Sequence, residues 1–159
     1  MTTDSPPWLQ HHWLDHTQLL LDSFRHFVGR ELIPRLATPE EEAEALFGAA
    51  RVVVSHTPAT DPILNYANHA ALNLWEIDIP TLLKTPSRHT AEPMHRDERA
   101  ELLRRTTEHG YVDDYQGIRI ATTGRRFMID NAIVWNLIDP QGNFAGQAAT
   151  FTDWRYLDG

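Results

Sequence analysis

The 159-residue chain is 42% apolar and 23% charged, the composition of an ordinary globular protein, which excludes a disordered tract or a fibrous repeat and makes one domain the expectation. Fourteen basic against 22 acidic residues leave a formal charge of −8, which repels a phosphate backbone and sets nucleic acid aside as a partner. No cysteine is present, so disulfides, thiolate nucleophiles and thiolate-held metals are excluded together.

From Trp8 to Ile33 the residues Leu9, Trp13, Leu20, Phe24, Phe27 and Val28 recur at three- and four-residue steps, the pattern of an amphipathic helix that Pro34 would stop. A second helix restarts at Thr38-Pro39-Glu40-Glu41, with Thr38 as N-cap, proline in the first turn and Glu41 placed to close a capping box, and reaches about Ala50. The β-branched run Val52-Val53-Val54 within 51–56 predicts a buried strand, and 62–66 a second short one. Asn68 then stands as a cap before a small helix over 70–75, and the two prolines of 77–88 leave room only for short helical turns. A longer, mostly solvated helix spans 95–109 and stops at Gly110. Three strands follow, at 117–122, 126–138 and 144–152, separated by turn residues at Thr123-Gly124 and 139–143.

The middle strand of these three is apolar on both sides. Phe127, Ile129, Ile133, Trp135 and Leu137 would form one face and Met128, Ala132, Val134 and Ile138 the other. An antiparallel sheet ordinarily leaves one face wet, so both faces from 127 to 138 are expected to be covered. The N-terminal amphipathic helix is the available cover, on its own sheet or on that of a second subunit.

This order of elements resembles the PAS fold. At residue level the segments VVVSHTPATDPILNYANHAALNLWE (52–76), PSRHTAEPMHRDER (86–99), GYVDDYQGIRIATTGRRFMIDNAIVWNLID (110–139) and GQAATFTDW (146–154) resemble the MEKHLA domain family, a PAS-related group of bacterial stand-alone proteins and plant homeodomain-leucine-zipper factors, and the chain looks like a bacterial stand-alone member. The resemblance implies an α+β fold: a PAS-like antiparallel sheet with short helices on one face and an N-terminal amphipathic helix. Residues 1–50 would form a helical segment packed on the sheet, and 51–159 the PAS-like domain. It also implies a pocket between sheet and small helices, and no established reaction.

Within such a pocket, analogy with PAS domains points to Asn68, Trp75, Tyr115, Trp135, Asn136 and Gln147 as lining groups. Arg88 and Arg96 are the cations whose guanidinium forks, turned inward, would suit a carboxylate or phosphate. The segment from Lys84 to Arg126 carries nine basic and seven acidic residues, an interleaving that also suits ion pairing along a helix face. His89, Glu92 and His95 have the composition of a facial metal triad, but Pro93 interrupts the helix that would gather them; His12 and His16 stand four apart with no acidic or basic motif of a known metalloenzyme beside them. Ser55 and His56 are strand neighbours that point to opposite faces and so make no catalytic pair. Neither catalytic nor metal-binding residues are therefore assigned, and the cofactor is left open.

The expected function is a non-catalytic PAS-like sensory or regulatory module that binds a small-molecule ligand or a protein partner. The alternatives are a dimerisation or interaction module with a filled core and a small metal-dependent enzyme at His89 to Arg96. A homodimer or a partner protein would carry the signal onward. MTTDSPPW holds no basic segment followed by an apolar run, and no stretch nears the ~18 apolar residues a bilayer span requires, so the expected location is cytoplasmic, away from the membrane.

Overall fold

In the computed structural model, which describes residues 6–157, a 3-10 turn at Pro7–Leu9 leads into helix α1, His11–Val28. The reading of residues 1–5 for a leader lies outside the described residues. Helix α1 buries Trp13, Thr17, Leu20, Leu21, Ser23 and Phe24, one stripe at helical spacing. It ends five residues before Pro34, because Gly29 takes the left-handed conformation at φ 86° and donates its N–H to the Arg25 carbonyl. Helix α2 (Pro39–Phe47) starts as its cap requires, the Thr38 hydroxyl accepting the Glu41 N–H at 3.1 Å.

Glu42 joins the two helices. The residue is 4% exposed, and its carboxylate accepts from Arg35 at 2.6 Å, Gln18 at 2.9 Å and the Leu36 N–H at 3.0 Å. Burial works against the charged form, but these donors prevail and hold the carboxyl below its ordinary range. Arg35 also reaches Asp22 of α1 at 3.1 Å, so one guanidinium clamps α1, the connecting segment and α2.

Strands β1 (Val52–His56) and β2 (Leu64–Ala67) precede helices α3 (His69–Trp75), α4 (Ile79–Leu82) and α5 (Arg96–His109), with 3-10 turns at Ser87–Thr90 and Pro93–His95 between the last two. Strands β3 (Tyr111–Ile120), β4 (Arg126–Ile138), β5 (Phe144–Phe151) and β6 (Asp153–Tyr156) complete the chain. One antiparallel sheet results, in the order β2-β1-β5-β4-β3. Strand β6 continues along the β5 side of β4: Ile133 to Ile138 pair with β5, and Phe127 to Asp130 with β6. Strand β3 begins six residues earlier than the sequence pattern predicts, since its first half, Tyr111-Val112-Asp113-Asp114, is half-buried or exposed and irregular, with Asp114 at φ 56°.

The two faces of β4 differ from those read in the sequence. Asn131 sits at φ 54°, and this bulge reverses the alternation. Phe127, Ile129 and Ala132 therefore join a core under α3 and α4 with Trp75, Leu82 and Phe151, while Ile133, Trp135 and Leu137 join the opposite core with Trp13, Leu20, Phe24 and Tyr66. Full cover on both sides holds from Ala132 to Leu137, all buried. It does not hold from Met128 to Asn131, which are buried only at Ile129. The single periodicity expected over 127–138 is thus two segments joined by a left-handed residue.

Helix α1 lies on its own chain's sheet. Phe24 meets Trp135 edge to face with centroids 4.9 Å apart, and the Ser23 hydroxyl accepts the Ile138 N–H at 2.9 Å, which fixes the helix against the end of β4. Among the described residues no helix is long and apolar enough to cross a membrane.

Candidate functional site

The sheet face opposite α1 is roofed by α3, α4 and α5, and beneath α5 it holds a partly open cavity of about 70 Å³. Apolar walls come from Val54 and Leu64 on the first hairpin, Leu102 on α5, Ile129, Ala132 and Val134 on β4 and Phe151 on β5. Strand alternation sends Val54 and His56 of β1 to this side, whereas Ser55 points to α1, where its hydroxyl meets His16 Nε2 at 2.8 Å and donates to Asn65 at 2.5 Å. The serine is thus joined to His16 and Asn65 and not to its neighbour His56. Burial, with the nearby His12 adding to it, lowers His16 to about 4, so it bonds as a neutral ring.

Set into these apolar walls are two guanidinium groups. Arg119 of β3 is 6% exposed; it donates to the Ile118 carbonyl at 2.8 Å and to the Tyr115 hydroxyl at 3.0 Å. Arg99 of α5 donates to the Ser87 hydroxyl at 2.9 Å. Among the described residues no carboxylate pairs with either. The nearest acid in this network, Glu98, is exposed and accepts the Tyr115 hydroxyl proton at 2.7 Å instead. Burial, then the like charge of Arg119, depresses Arg99 to about 10, which leaves it charged at neutral pH.

His56 faces the same space. Burial lowers it to about 4, the Thr57 carbonyl opposing and the Arg99 charge assisting, so the ring is neutral. Its Nδ1 lies 3.0 Å from the Thr57 carbonyl, which can only accept, so Nδ1 carries the hydrogen and Nε2 keeps a bare lone pair. That Nε2 is buried with no partner among the described residues.

Tyr115 is held over this group by its own strand. Its ring lies across Gly117, where a Cβ would overlap the phenol oxygen, so the absent side chain at 117 is what lets the hydroxyl reach Arg119. Gly146 serves similarly at the rim: at φ 121° it lets β5 approach the end of β1 so closely that a Cβ would collide with the His56 carbonyl.

Of the residues singled out in the sequence, Trp75, Tyr115 and Gln147 line the cavity. Asn136 stands beside Gln147, whose amide donates to it at 3.0 Å and also to the Leu103 carbonyl and Thr107 hydroxyl of α5, so the pair docks α5 on the sheet. Arg88 and Arg96 lie outside, in a surface groove with Asp97, Arg99 and Arg104; Arg88 is 3.5 Å from Asp61 and Arg96 donates to the Ala91 carbonyl. Four residues, His56, Arg99, Leu103 and Gln147, line both groove and cavity, so the two adjoin through a shared wall. Trp135 is on the α1 face, and Asn68 is buried among α2, α3 and β1. His89, Glu92 and His95 do not converge: Glu92 faces Arg126 at 3.8 Å, and among the described residues no three His, Asp or Glu side chains are placed to hold a metal.

Arg119, Arg99 and His56 were not among the pocket residues expected from the sequence. In Gly117-Ile118-Arg119-Ile120 the isoleucines mark the face expected to be buried, yet they are half-buried and Arg119 points inward. Arg99 had a legible signal: Leu102 and Thr106 are the buried positions of α5, and 99 precedes them on that stripe.

A family model described as the MEKHLA domain matches residues 14–156. No curated protein matches the chain. Among solved structures, the PAS domain of a protein from Colwellia psychrerythraea superimposes with a TM-score of 0.61 at 12% identity, over 74% of this chain and 95% of that one. A light-oxygen-voltage domain studied with a flavin analogue gives 0.57 at 19% identity, over 74% and 85%, and a fungal LOV domain photoreceptor gives 0.56 at 14% identity, over 87% and 91%. At these identities the likeness is one of fold.

Proposed function

The chain belongs to the MEKHLA domain family, and from that premise we propose that it is a non-catalytic sensory module whose input is a small ligand held in the cavity beneath α5. The observation that carries this is a set of polar groups on an apolar cavity whose bonding is incomplete: the His56 Nε2 without a donor and the Trp75 indole N–H without an acceptor among the described residues, beside two guanidinium groups that are hydrogen-bonded but have no carboxylate. Buried polar groups ordinarily find partners, and buried charges cost several kcal/mol when they do not. A site kept for an occupant accounts for both. With no cysteine in the chain, the occupant is held without a thiol bond.

The same frame supports a route for the signal. Helix α5 roofs the cavity and is pinned to the sheet through Gln147 and Asn136, and the opposite face of those strands carries α1. Pressure from an occupant on α5 is passed to β4 and β5 and so to the helix that is free to meet a partner protein.

Filling the cavity from within tests the role. Ala132 lines it and is buried in the adjoining core, so Ala132→Leu places three more carbon atoms in the space without touching a polar group. In a thermal-shift screen of small polar and charged metabolites, at least one compound is expected to raise the melting temperature of the wild type saturably and to leave Ala132→Leu unmoved. Equal shifts in both proteins, or no shift in either, would remove the cavity as the input site.

A further inference from the structure

We infer that the occupant is a short-chain carboxylate, its anionic end between Arg119 and Arg99 and its remaining atoms against the apolar wall of β4. This rests on the ligand-binding role proposed above and adds the chemical class. Both guanidinium groups line one small cavity, Arg119 buried and Arg99 half-buried; like charges sharing such a space repel, and a shared counter-anion reverses the sign of the interaction. Glu98 could have supplied one, but its carboxylate is turned to the Tyr115 hydroxyl; that hydroxyl and the Ile118 carbonyl each take one Arg119 donor, which leaves the rest of its N–H groups uncommitted. The site is therefore oriented while empty of an acid.

Size and wall chemistry narrow the class. A space of about 70 Å³ admits only a molecule of a few non-hydrogen atoms, a cavity of about 150 Å³ being one that takes a benzene ring. Inorganic phosphate would fit by volume, but its several acceptor oxygens would face Val134, Ile129 and Phe151 without donors. A monocarboxylate confines its acceptors to one end, where the guanidinium forks match it, and presents carbon to the rest. His56 adds one preference: its Nε2 only accepts, so an acid that carries a hydroxyl binds better than the same acid without one. The adjoining groove presents Arg96, which has no carboxylate partner among the described residues, to an anion in solution, on a protein otherwise acidic.

Titration calorimetry on the intact, dialysed protein with acetate, propionate and glycolate, beside acetamide, propionamide and inorganic phosphate, decides it. The carboxylates are expected to bind saturably, glycolate more tightly than acetate, with the amides of equal shape at least tenfold weaker. Arg119→Met, which keeps side-chain length, is expected to weaken the carboxylates at least tenfold while folding as well as or better than the wild type in urea, because a buried unpaired charge has gone. Phosphate or an amide binding as well as its carboxylate counterpart would overturn the class and leave a ligand site standing, as would a neutral compound emerging from the metabolite screen while the carboxylates fail. No probe binding, with Arg119→Met less stable than the wild type, would make Arg119 a structural residue and overturn the inference.

Discussion

Replacing Trp135 by alanine is expected to lower the stability of the fold by about 3–5 kcal/mol, the cost of removing a fully buried indole and leaving a void behind it. Trp135 is 0% exposed. It sits in β4 between Tyr111 of β3 and Ala148 of β5, and on the α1 face of the sheet it receives Phe24 edge to face. None of these neighbours can collapse into the gap without shifting either the helix or the strand register, since Ser23 pins α1 to the Ile138 backbone nearby. Urea denaturation should show the loss as a lower midpoint at unchanged slope. A loss under about 1 kcal/mol would mean that α1 does not cover this face.

The second large effect belongs to Asn68, fully buried and bonded through every atom of its amide. The oxygen accepts the Val53 N–H at 3.0 Å and the Ala71 N–H at 3.2 Å, and the nitrogen donates to the Leu46 carbonyl at 3.1 Å and the Arg51 carbonyl at 2.7 Å. One side chain thus ends α2, starts β1 and caps α3. Asn68→Ala strands the Val53 and Ala71 N–H groups and the Arg51 carbonyl, while the Leu46 carbonyl keeps the Ala49 N–H; at about 1–3 kcal/mol each before relaxation, a net loss of about 3–4 kcal/mol is expected. Asn68→Asp is expected to fare no better, since it surrenders both donated bonds and buries a charge. An Asn68→Ala protein as stable as the wild type would contradict this linking role.

Asn68 also shows how far the sequence could be read. Its place before an alanine-rich helical run made it a cap, and it is one; the three further bonds come from chain segments 15 to 22 residues away, which no local pattern encodes. The elements themselves were legible because caps, prolines and β-branched runs act locally. Two local signals misled. Gly29 ended α1 ahead of Pro34 because a left-handed residue stops a helix wherever it falls, and Asn131 broke the alternation of β4 because a bulge flips every later side chain. Strand β6 escaped because Asp153-Trp154-Arg155 is exposed and pairs by position, with no apolar face to announce it.

The cavity was only half legible for a related reason. Trp75, Tyr115 and Gln147 were visible as large or amide side chains that a pocket could use, and the cavity holds them. Arginine, by contrast, signals a surface in composition, and Arg88 and Arg96, the two singled out, are indeed at the surface groove. Arg119 is turned inward by the same strand face that carries Tyr115 and Gly117, and only the register of β3 on β4, displaced by the irregularity between Val112 and Gly117, decides which face that is.

A crystal structure of the protein grown with glycolate would test the cavity assignment most directly. The expected result is one molecule beneath α5, its carboxylate within hydrogen-bonding distance of Arg119 and Arg99 and its hydroxyl directed at His56 Nε2. A chamber holding water alone, with Glu98 swung in to pair with Arg119, would contradict it.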